Sequence, residues 1–217
     1  MFSRLRVAPL VAEFLGTTIL VLVALAMTQI TTVSYFVATS VAIALALVYM
    51  VFGVVSGGHF NPAITFGMWT ARRISTLRGV SYVASQMLGG LAAWQLYQYM
   101  TDRALPAKAV TYSTPMWVAE VVGTFILSIG ITAAITRGFD MLQGGLAYAA
   151  ALFAGIMIAA TASAAYLNPA VALGVRSWSS VYVLGPLVGA LLGVNVYSWL
   201  LAGPSKRVWR RPTWVRR

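Results

Sequence analysis

Two stretches of the chain carry the same helix-starting tripeptide in an otherwise apolar context: SGGHFNPA at residues 56–63 and SAAYLNPA at residues 163–170. Asparagine favours the N-cap of a helix and proline its first turn, so Asn61-Pro62-Ala63 and Asn168-Pro169-Ala170 each predict a helix start. A helix N-terminus carries roughly half a positive elementary charge, and an asparagine amide donates hydrogen bonds to neutral solutes. Two such ends that face one another would bind water oxygens and repel cations.

Other chemistry has little support in the sequence. The chain has no cysteine, and His59 is its single histidine, so no metal site, no cofactor and no Ser-His-Asp triad is expected. No nucleotide-binding loop and no paired acid–base site indicates an enzyme. Glu13 and Glu120 lie inside apolar segments, where a charge costs about 2.5–3.5 kcal/mol. Each either relays protons or accepts hydrogen bonds from the backbone of a nearby loop, and the repeat described below favours this structural role.

The composition is that of a membrane protein. Of 217 residues, 60% are hydrophobic and 9% charged, against roughly a quarter charged in soluble domains. The formal net charge of +11 therefore concerns membrane sidedness, and no nucleic-acid partner is predicted. A membrane-spanning helix needs about 20 apolar residues. Six segments meet this length, at about 10–29, 36–55, 80–100, 117–136, 144–163 and 181–202.

The basic residues predict the orientation. Six spans place both termini on one side, and this side holds 12 of the 15 basic residues: Arg4, Arg6, Arg72, Arg73, Arg78, Arg137, Lys206, Arg207, Arg210, Arg211, Arg216 and Arg217. Loops rich in lysine and arginine stay in the cytoplasm, so both termini are predicted to be cytoplasmic. The basic tail at 204–217 is either an orientation anchor or a contact to anionic lipid in the bilayer.

An internal repeat organises the chain. AEFLGT at 12–17 and AEVVGT at 119–124 are 107 residues apart, as are the two NPA motifs. The repeat therefore predicts a single transmembrane domain, 1–217, made of two halves at about 8–105 and 115–203. Each half has three spans, so the second half is inverted relative to the first. Farther along, QMLGG at 86–90 matches PLVGA at 186–190 with an offset of 100, which makes the second half seven residues shorter there.

The segments that follow the NPA motifs, ITFGMWT and VALGVRS, are too short to cross a membrane. Irregular backbone at membrane depth is tolerated only when it is buried in protein or lines a water-filled cavity. We therefore expect two half-helices that enter from opposite faces and meet near the midplane.

These motifs, together with GPLVGALLG at 185–193, resemble the aquaporin, or major intrinsic protein, family over nearly the whole chain. The resemblance implies an all-α membrane protein with six transmembrane helices plus two re-entrant half-helices. It further implies a pore in each protomer for water and small neutral solutes, exclusion of ions and protons, and a homotetramer.

The resemblance also places a selectivity filter at Val41, Ile156, Ala165 and Val171, or at Ile43 instead of Val41 if the second span slips by two residues. Water-selective members carry an aromatic residue, a histidine, a small residue and an arginine there. At Ile156, Ala165 and Val171 this chain is similar to plant tonoplast intrinsic proteins. An apolar ring predicts a wide pore that admits water and ammonia, urea, hydrogen peroxide or glycerol; the alternative is a narrow constriction that closes by dewetting.

Two further residues have two interpretations each. By the resemblance, His59 lies at the cytoplasmic end of the pore, where it lines or gates the channel; otherwise it packs the loop. Arg176 ends the second half-helix and either reaches into the extracellular vestibule or extends to the membrane interface. Gln86 and Asn195 are expected to pack between helices.

A second functional class shares this architecture. Ion- or proton-coupled secondary transporters also use inverted repeats and broken helices. Such a transporter needs ligands for the coupling ion, and the chain offers only Glu13, Glu120 and His59. The compact loops and short chain predict a bacterial inner membrane as the location.

Overall fold

The structure is a computed structural model, which describes residues 4–202 and side chains from residue 7 onward. All regular structure in this range is helical, and the helices are α1 Arg4–Ile30, α2 Ser34–Ser56, α3 Pro62–Thr70, α4 Thr76–Thr101, α5 Thr114–Arg137, α6 Met141–Ala159, α7 Pro169–Gly174 and α8 Ser180–Val196, which continues as a π-helix over Tyr197–Leu201. The predicted all-α fold of six long helices and two half-helices is confirmed. The tail at 204–217 lies outside the described residues.

One predicted span ends clearly earlier than expected, whereas the ends of the other five agree to within one residue. The segment expected at 144–163 is α6, which ends at Ala159. The hydroxyl of Ser163 donates a hydrogen bond to Glu120 on α5 at 2.8 Å. The hydroxyl of Ser163 therefore links the end of α6, where the Ser163 N–H still donates to the Ala159 carbonyl oxygen at 2.9 Å, to the buried carboxylate on α5.

Five of the described helices are long and apolar enough to cross a membrane: α1 from Val7, α2, α5, α6 and α8 with its π-helical extension. Helix α4 has 26 residues and at about 1.5 Å per residue is longer than the hydrocarbon core. Its composition is more polar because it contains serine and glutamine side chains. One of these, Gln86, is completely buried and faces protein rather than lipid.

The same helix packing occurs in both halves. Helix α1 packs on α4, α5 packs on α8, and α2 meets α6 across the two halves. Gly89 on α4 lies against Phe14 and Thr17 of α1, and Gly189 on α8 lies against the corresponding Thr124 of α5. Glycine at these crossings lets two helix backbones approach closely, as small residues do in membrane helices.

Each half-helix packs against a long helix of the opposite half. A Cβ atom on Gly67 of α3 would lie 2.7 Å from the carbonyl oxygen of Ala190 on α8. A Cβ atom on Gly174 of α7 would lie 3.0 Å from the carbonyl oxygen of Gly90 on α4. The two halves are therefore interlocked through the half-helices, which holds both NPA segments inside the protein.

The seven residues missing from the second half fall in two places. Helix α7 has six residues where α3 has nine. Each helix is followed by one C-cap residue and then by an arginine with left-handed backbone, Arg72 or Arg176. The other four are one helical turn of α4, between its N-cap Ser75 and Gln86. In α8 the corresponding distance, from N-cap Ser179 to Pro186, is a turn shorter.

The close crossing at Gly89 predicts a large difference between two alanine substitutions on α4. In Gly89→Ala the new Cβ would lie 2.7 Å from the Phe14 carbonyl oxygen and 3.1 Å from Thr17 Cβ, atoms that cannot move without shifting α1. We expect a loss of about 1–3 kcal/mol in the free energy of unfolding, measured by unfolding of the purified protein in detergent.

Gly79→Ala is the matched control. Its Cβ would meet Ile74 Cδ1 at 3.5 Å, an ordinary contact, and alanine favours the helical state over glycine. We expect this variant to be as stable as the parent or more stable. Equal stability of the two variants would contradict the proposed close crossing.

Candidate functional site

The two NPA asparagines cap the half-helices with the same geometry. Asn61 and Asn168 both have an extended backbone with φ −155°. The Oδ1 atom of Asn61 accepts a hydrogen bond from the Ala63 N–H at 2.8 Å, and that of Asn168 accepts one from the Ala170 N–H at 2.9 Å. The following prolines, which lack an N–H, occupy the first turn, where no donor is needed.

The same asparagines join the two halves. Asn61 Nδ2 donates to the carbonyl oxygen of Leu167 at 2.8 Å, and Asn168 Nδ2 donates to that of Phe60 at 3.0 Å. Phe60 and Leu167 directly precede the asparagines and adopt left-handed backbone conformations, with φ 50° and 53°. Each amide has two N–H donors, so one remains for a solute. The half-helix N-termini are thereby held together at one point.

A buried carboxylate orients the first loop. Glu13 is fully buried, and its Oε1 accepts hydrogen bonds from the Ser56 hydroxyl at 2.6 Å and the His59 N–H at 3.0 Å. Its Oε2 accepts from the Phe60 N–H at 2.6 Å and from Gln86 Nε2 at 2.8 Å. Four donors on two oxygens match the acceptor capacity of an ionised carboxylate. Both oxygens face the loop rather than the cavity described below.

Glu120 holds the second loop in the corresponding way, with one donor fewer. Its carboxylate accepts from the Ser163 hydroxyl at 2.8 Å, the Tyr166 N–H at 3.1 Å and the Leu167 N–H at 2.8 Å. The repeat position of Gln86 is Pro186, which has no side-chain amide. These contacts fit the structural interpretation of the two acids, because every carboxylate oxygen accepts a hydrogen bond from its loop.

An internal cavity of about 50 Å³ passes the asparagines. Each water molecule in a cavity requires roughly 10–15 Å³ of such space, so the volume suits a short file of waters. The wall includes both asparagines, His59 and all four residues predicted for the filter: Val41, Ile156, Ala165 and Val171. Seven of the residues singled out from the sequence thus line one cavity between the described helices.

The register of α2 decides between the two candidates for the first filter position. Val41 is buried and lies on the cavity wall. Ile43 is 65% exposed on the outer surface of α2, because a shift of two residues rotates a side chain by about 200° around a helix. The alternative with Ile43 in the filter is therefore wrong.

Ala165 is held in an unusual backbone conformation. Its φ is 53°, and its repeat position in the first loop is Gly58, with φ 69°. Left-handed backbone costs an L-residue with a Cβ roughly 1–2 kcal/mol relative to its preferred conformation. The second loop therefore holds Ala165 in a strained backbone conformation, with its methyl group in the wall of the cavity.

His59 belongs to a polar network that the sequence analysis missed. Its Nδ1 lies 3.1 Å from Thr65 Oγ1, and Gln86 Nε2 donates to this same oxygen at 2.8 Å. In the second half these positions are Tyr166, Ala172 and Pro186. The absence of a hydrogen-bonding side chain at Ala172 and Pro186 was the available signal, because only the first half has polar side chains at these two related positions.

Arg176 contacts an aromatic side chain on α4, which the sequence analysis did not predict. The guanidinium Cζ lies 4.1 Å from the centroid of the Trp94 ring on α4, in the geometry of a cation–π contact. Its carbonyl oxygen accepts a hydrogen bond from the Lys108 N–H at 2.7 Å. Arg176 is not part of the cavity wall. Among the described residues, no group of histidine, cysteine and acidic side chains could hold a metal ion.

Known proteins are similar to this chain in sequence and in fold. A probable aquaporin TIP-type from Medicago truncatula is 34% identical over 161 residues, covering 67% of this chain and 63% of that protein. Aquaporin TIP2-1 from Zea mays is 35% identical over 232 residues, covering 94% of this chain and 91% of that protein.

A solved structure, that of the aquaglyceroporin from Plasmodium falciparum, has a TM-score of 0.75 with 18% identity, over 90% of this chain and 96% of that one. This similarity supports the fold of six transmembrane helices and two re-entrant half-helices. The sequence profile described as Major intrinsic protein matches residues 3–197. Together with the apolar helices, these findings show that the chain is an integral membrane protein of the major intrinsic protein family.

Proposed function

We propose that the chain is a passive channel for water and small neutral solutes. The observation that carries this proposal is the cavity in which the paired asparagines and an apolar ring share one wall. Relatives named aquaporin and a structural neighbour named aquaglyceroporin support the solute class. The proposal includes ammonia, urea, hydrogen peroxide and glycerol among the solutes.

Ion exclusion is assigned to the centre of the passage. The partial positive charges of the two half-helix N-termini repel cations, and positive half-helix ends are known to exclude protons in pores of this kind. The second N–H of Asn61 and of Asn168 can each donate to a water or hydroxyl oxygen. A water that accepts from both amides presents its oxygen to the site, which interrupts a chain of proton transfer.

The filter is assigned to Val41, Ile156, Ala165 and Val171. None of these side chains has a polar atom, so the ring discriminates by diameter and by its tolerance of apolar surface. Short side chains at Ala165, Val41 and Val171 favour a conducting ring over a dewetted one. The Glu13 and Glu120 carboxylates are assigned to holding the loops, and His59 to lining the passage.

Coupled transport is less well supported than passive conduction. A coupling ion needs oxygen ligands that are free to bind it, whereas each oxygen of Glu13 and Glu120 already accepts a hydrogen bond from a loop. No enzymatic activity is proposed.

The biological setting follows from charge and family. We place both termini in the cytoplasm because of the distribution of basic residues, and we propose a homotetramer as the resemblance implies. The bacterial inner membrane stays a prediction, and the plant relatives named above lend it no support.

Permeation can be measured directly in liposomes by stopped-flow light scattering. Mixing with an impermeant osmolyte should cause fast shrinkage, because water leaves through the cavity. Mixing with urea or glycerol should cause shrinkage followed by re-swelling, because the apolar ring admits these solutes. An ion-flux assay at fixed voltage should show essentially no current.

Empty liposomes give the background rate. Liposomes with inserted Asn61→Asp protein show the effect of changing one of the two asparagines that line the cavity. Shrinkage without re-swelling would mean that the ring is narrower than proposed. A rate no faster than that of empty liposomes, with insertion confirmed, would contradict the channel, and ion-dependent solute uptake would support coupled transport instead.

The filter assignment predicts that large polar side chains introduced into the apolar ring change the selectivity of the pore. The double variant Ile156→His/Val171→Arg should reduce urea and glycerol flux by roughly tenfold or more relative to water, since small changes of pocket size discriminate on this scale. Ile43→Phe is the matched control because Ile43 faces outward from α2; it should leave the flux ratio unchanged. A change of ratio in the control alone would place the constriction elsewhere.

Ala165→Gly tests the strained position. Glycine accepts the φ of 53° and removes one methyl group from the ring, so glycerol flux should increase. Stability should stay the same or rise, because relief of left-handed strain of roughly 1–2 kcal/mol offsets the entropy cost of glycine. Both effects are measured on one preparation, by light scattering and by thermal unfolding in detergent. Unchanged flux would remove Ala165 from the ring.

A further inference from the structure

A series of hydrogen bonds connects Glu13 to His59 through Gln86 and Thr65. Glu13 Oε2 accepts a hydrogen bond from the Phe60 N–H at 2.6 Å, and the Gln86 amide nitrogen donates to the same oxygen at 2.8 Å. The second hydrogen of this nitrogen is directed to Thr65 Oγ1, also at 2.8 Å. Both N–H donors of Gln86 are thereby used, and the buried Glu13 carboxylate and the Thr65 hydroxyl oxygen fix the orientation of the amide.

The Thr65 hydroxyl has a single proton to donate. Its oxygen already accepts from Gln86, and two acceptors lie within reach: His59 Nδ1 at 3.1 Å and Gln86 Oε1 at 3.2 Å. Donation to Gln86 Oε1 would return the bond to the same amide that donates to Thr65, which bends both hydrogen bonds. A hydrogen bond weakens steeply as it bends, so His59 Nδ1 is the better acceptor.

The other ring nitrogen of His59 opens onto the passage. Among residues 7–202, Nε2 has no hydrogen-bond partner, and it is not one of the fully buried polar atoms without a partner. His59 lies on the cavity wall, and its ring is fixed on one side by an edge-to-face contact with Tyr82 at 5.5 Å between centroids. Nε2 is therefore the ring atom that a solute meets.

We infer that Gln86 and Thr65 are positioning residues that hold neutral His59 in one tautomer, with Nδ1 as acceptor from Thr65 and the proton on Nε2 as a donor to the passage. The tautomer rests on His59 Nδ1 being the better acceptor for the Thr65 proton; its effect on a solute rests on the proposed channel function. His59 adds a third side-chain donor to the free N–H groups of Asn61 and Asn168.

The second half has no equivalent donor. Tyr166, at the repeat position of His59, joins its hydroxyl to Ser177 Oγ at 3.0 Å and stacks on Tyr182. Ala172 and Pro186 replace Thr65 and Gln86 and carry no hydrogen-bonding side-chain group. A solute therefore meets a side-chain donor on one side of the asparagine pair and a tethered phenol on the other.

The single histidine makes this tautomer directly measurable. Protein labelled with ¹⁵N only in histidine, reconstituted in bilayers at pH 8, gives a nitrogen NMR spectrum of His59 alone. At this pH a histidine of ordinary pKa, about 6.5, is neutral. We expect one tautomer, with a protonated Nε2 signal and an unprotonated Nδ1 signal shifted by the hydrogen bond from Thr65. A protonated Nδ1 in the parent protein would overturn the inference.

Two substitutions at Thr65 test the positioning role. Thr65→Val removes the hydroxyl and keeps the side-chain shape, so the Nδ1 signal should move to its unbonded position and the second tautomer should appear. Thr65→Ser keeps the hydroxyl and should restore the parent spectrum. Parent-like signals in Thr65→Val would also overturn the inference. Because the spectrum requires no permeation, it stays informative if the liposome experiment fails, so the two proposals can fail separately.

Discussion

The exchange of hydrogen bonds between the two asparagine amides and the opposite loop carbonyls is the constraint on which the architecture depends. Asn61 donates to Leu167 and Asn168 donates to Phe60, at a depth where lipid offers no partner for backbone groups. These bonds require both halves to be present and both half-helix ends to meet. The left-handed backbone at Phe60 and Leu167, the two buried glutamates and the glycine crossings each serve to bring the four groups into reach.

The two halves share a scaffold but differ in chemistry. The glutamate–loop contacts and the asparagine caps repeat with an offset of 107 residues, because each loop has the same backbone donors to satisfy. The side chains of Thr65 and Gln86 have no polar equivalents in the second half, and the hydroxyl of Tyr166, at the repeat position of His59, binds Ser177 instead. Since the scaffold in that half holds without them, their polarity is not required for the fold as such, which makes an effect on the passage the better explanation.

The sequence was sufficient to predict the helices and the pairing of the NPA motifs, because apolar length, capping residues and a constant offset are local or periodic signals. It could not choose between Val41 and Ile43, since this depends on how α2 is rotated against its neighbours. It also missed the contact of Arg176 with Trp94 and the network around Thr65. These contacts join residues on different helices, and no spacing along the chain encodes them.

In the proposed channel, the positions of the polar atoms decide which part of the passage excludes ions and which part limits the size of the solute. The ring of Val41, Ile156, Ala165 and Val171 has no side-chain donor, so it cannot replace the hydration shell of an ion or orient a hydroxyl. In the proposed channel, discrimination against charge is therefore assigned to the asparagines, where helix N-termini and amide N–H groups converge. An apolar ring can then vary in diameter without loss of ion exclusion, and the methyl group of strained Ala165 is a means of setting this diameter.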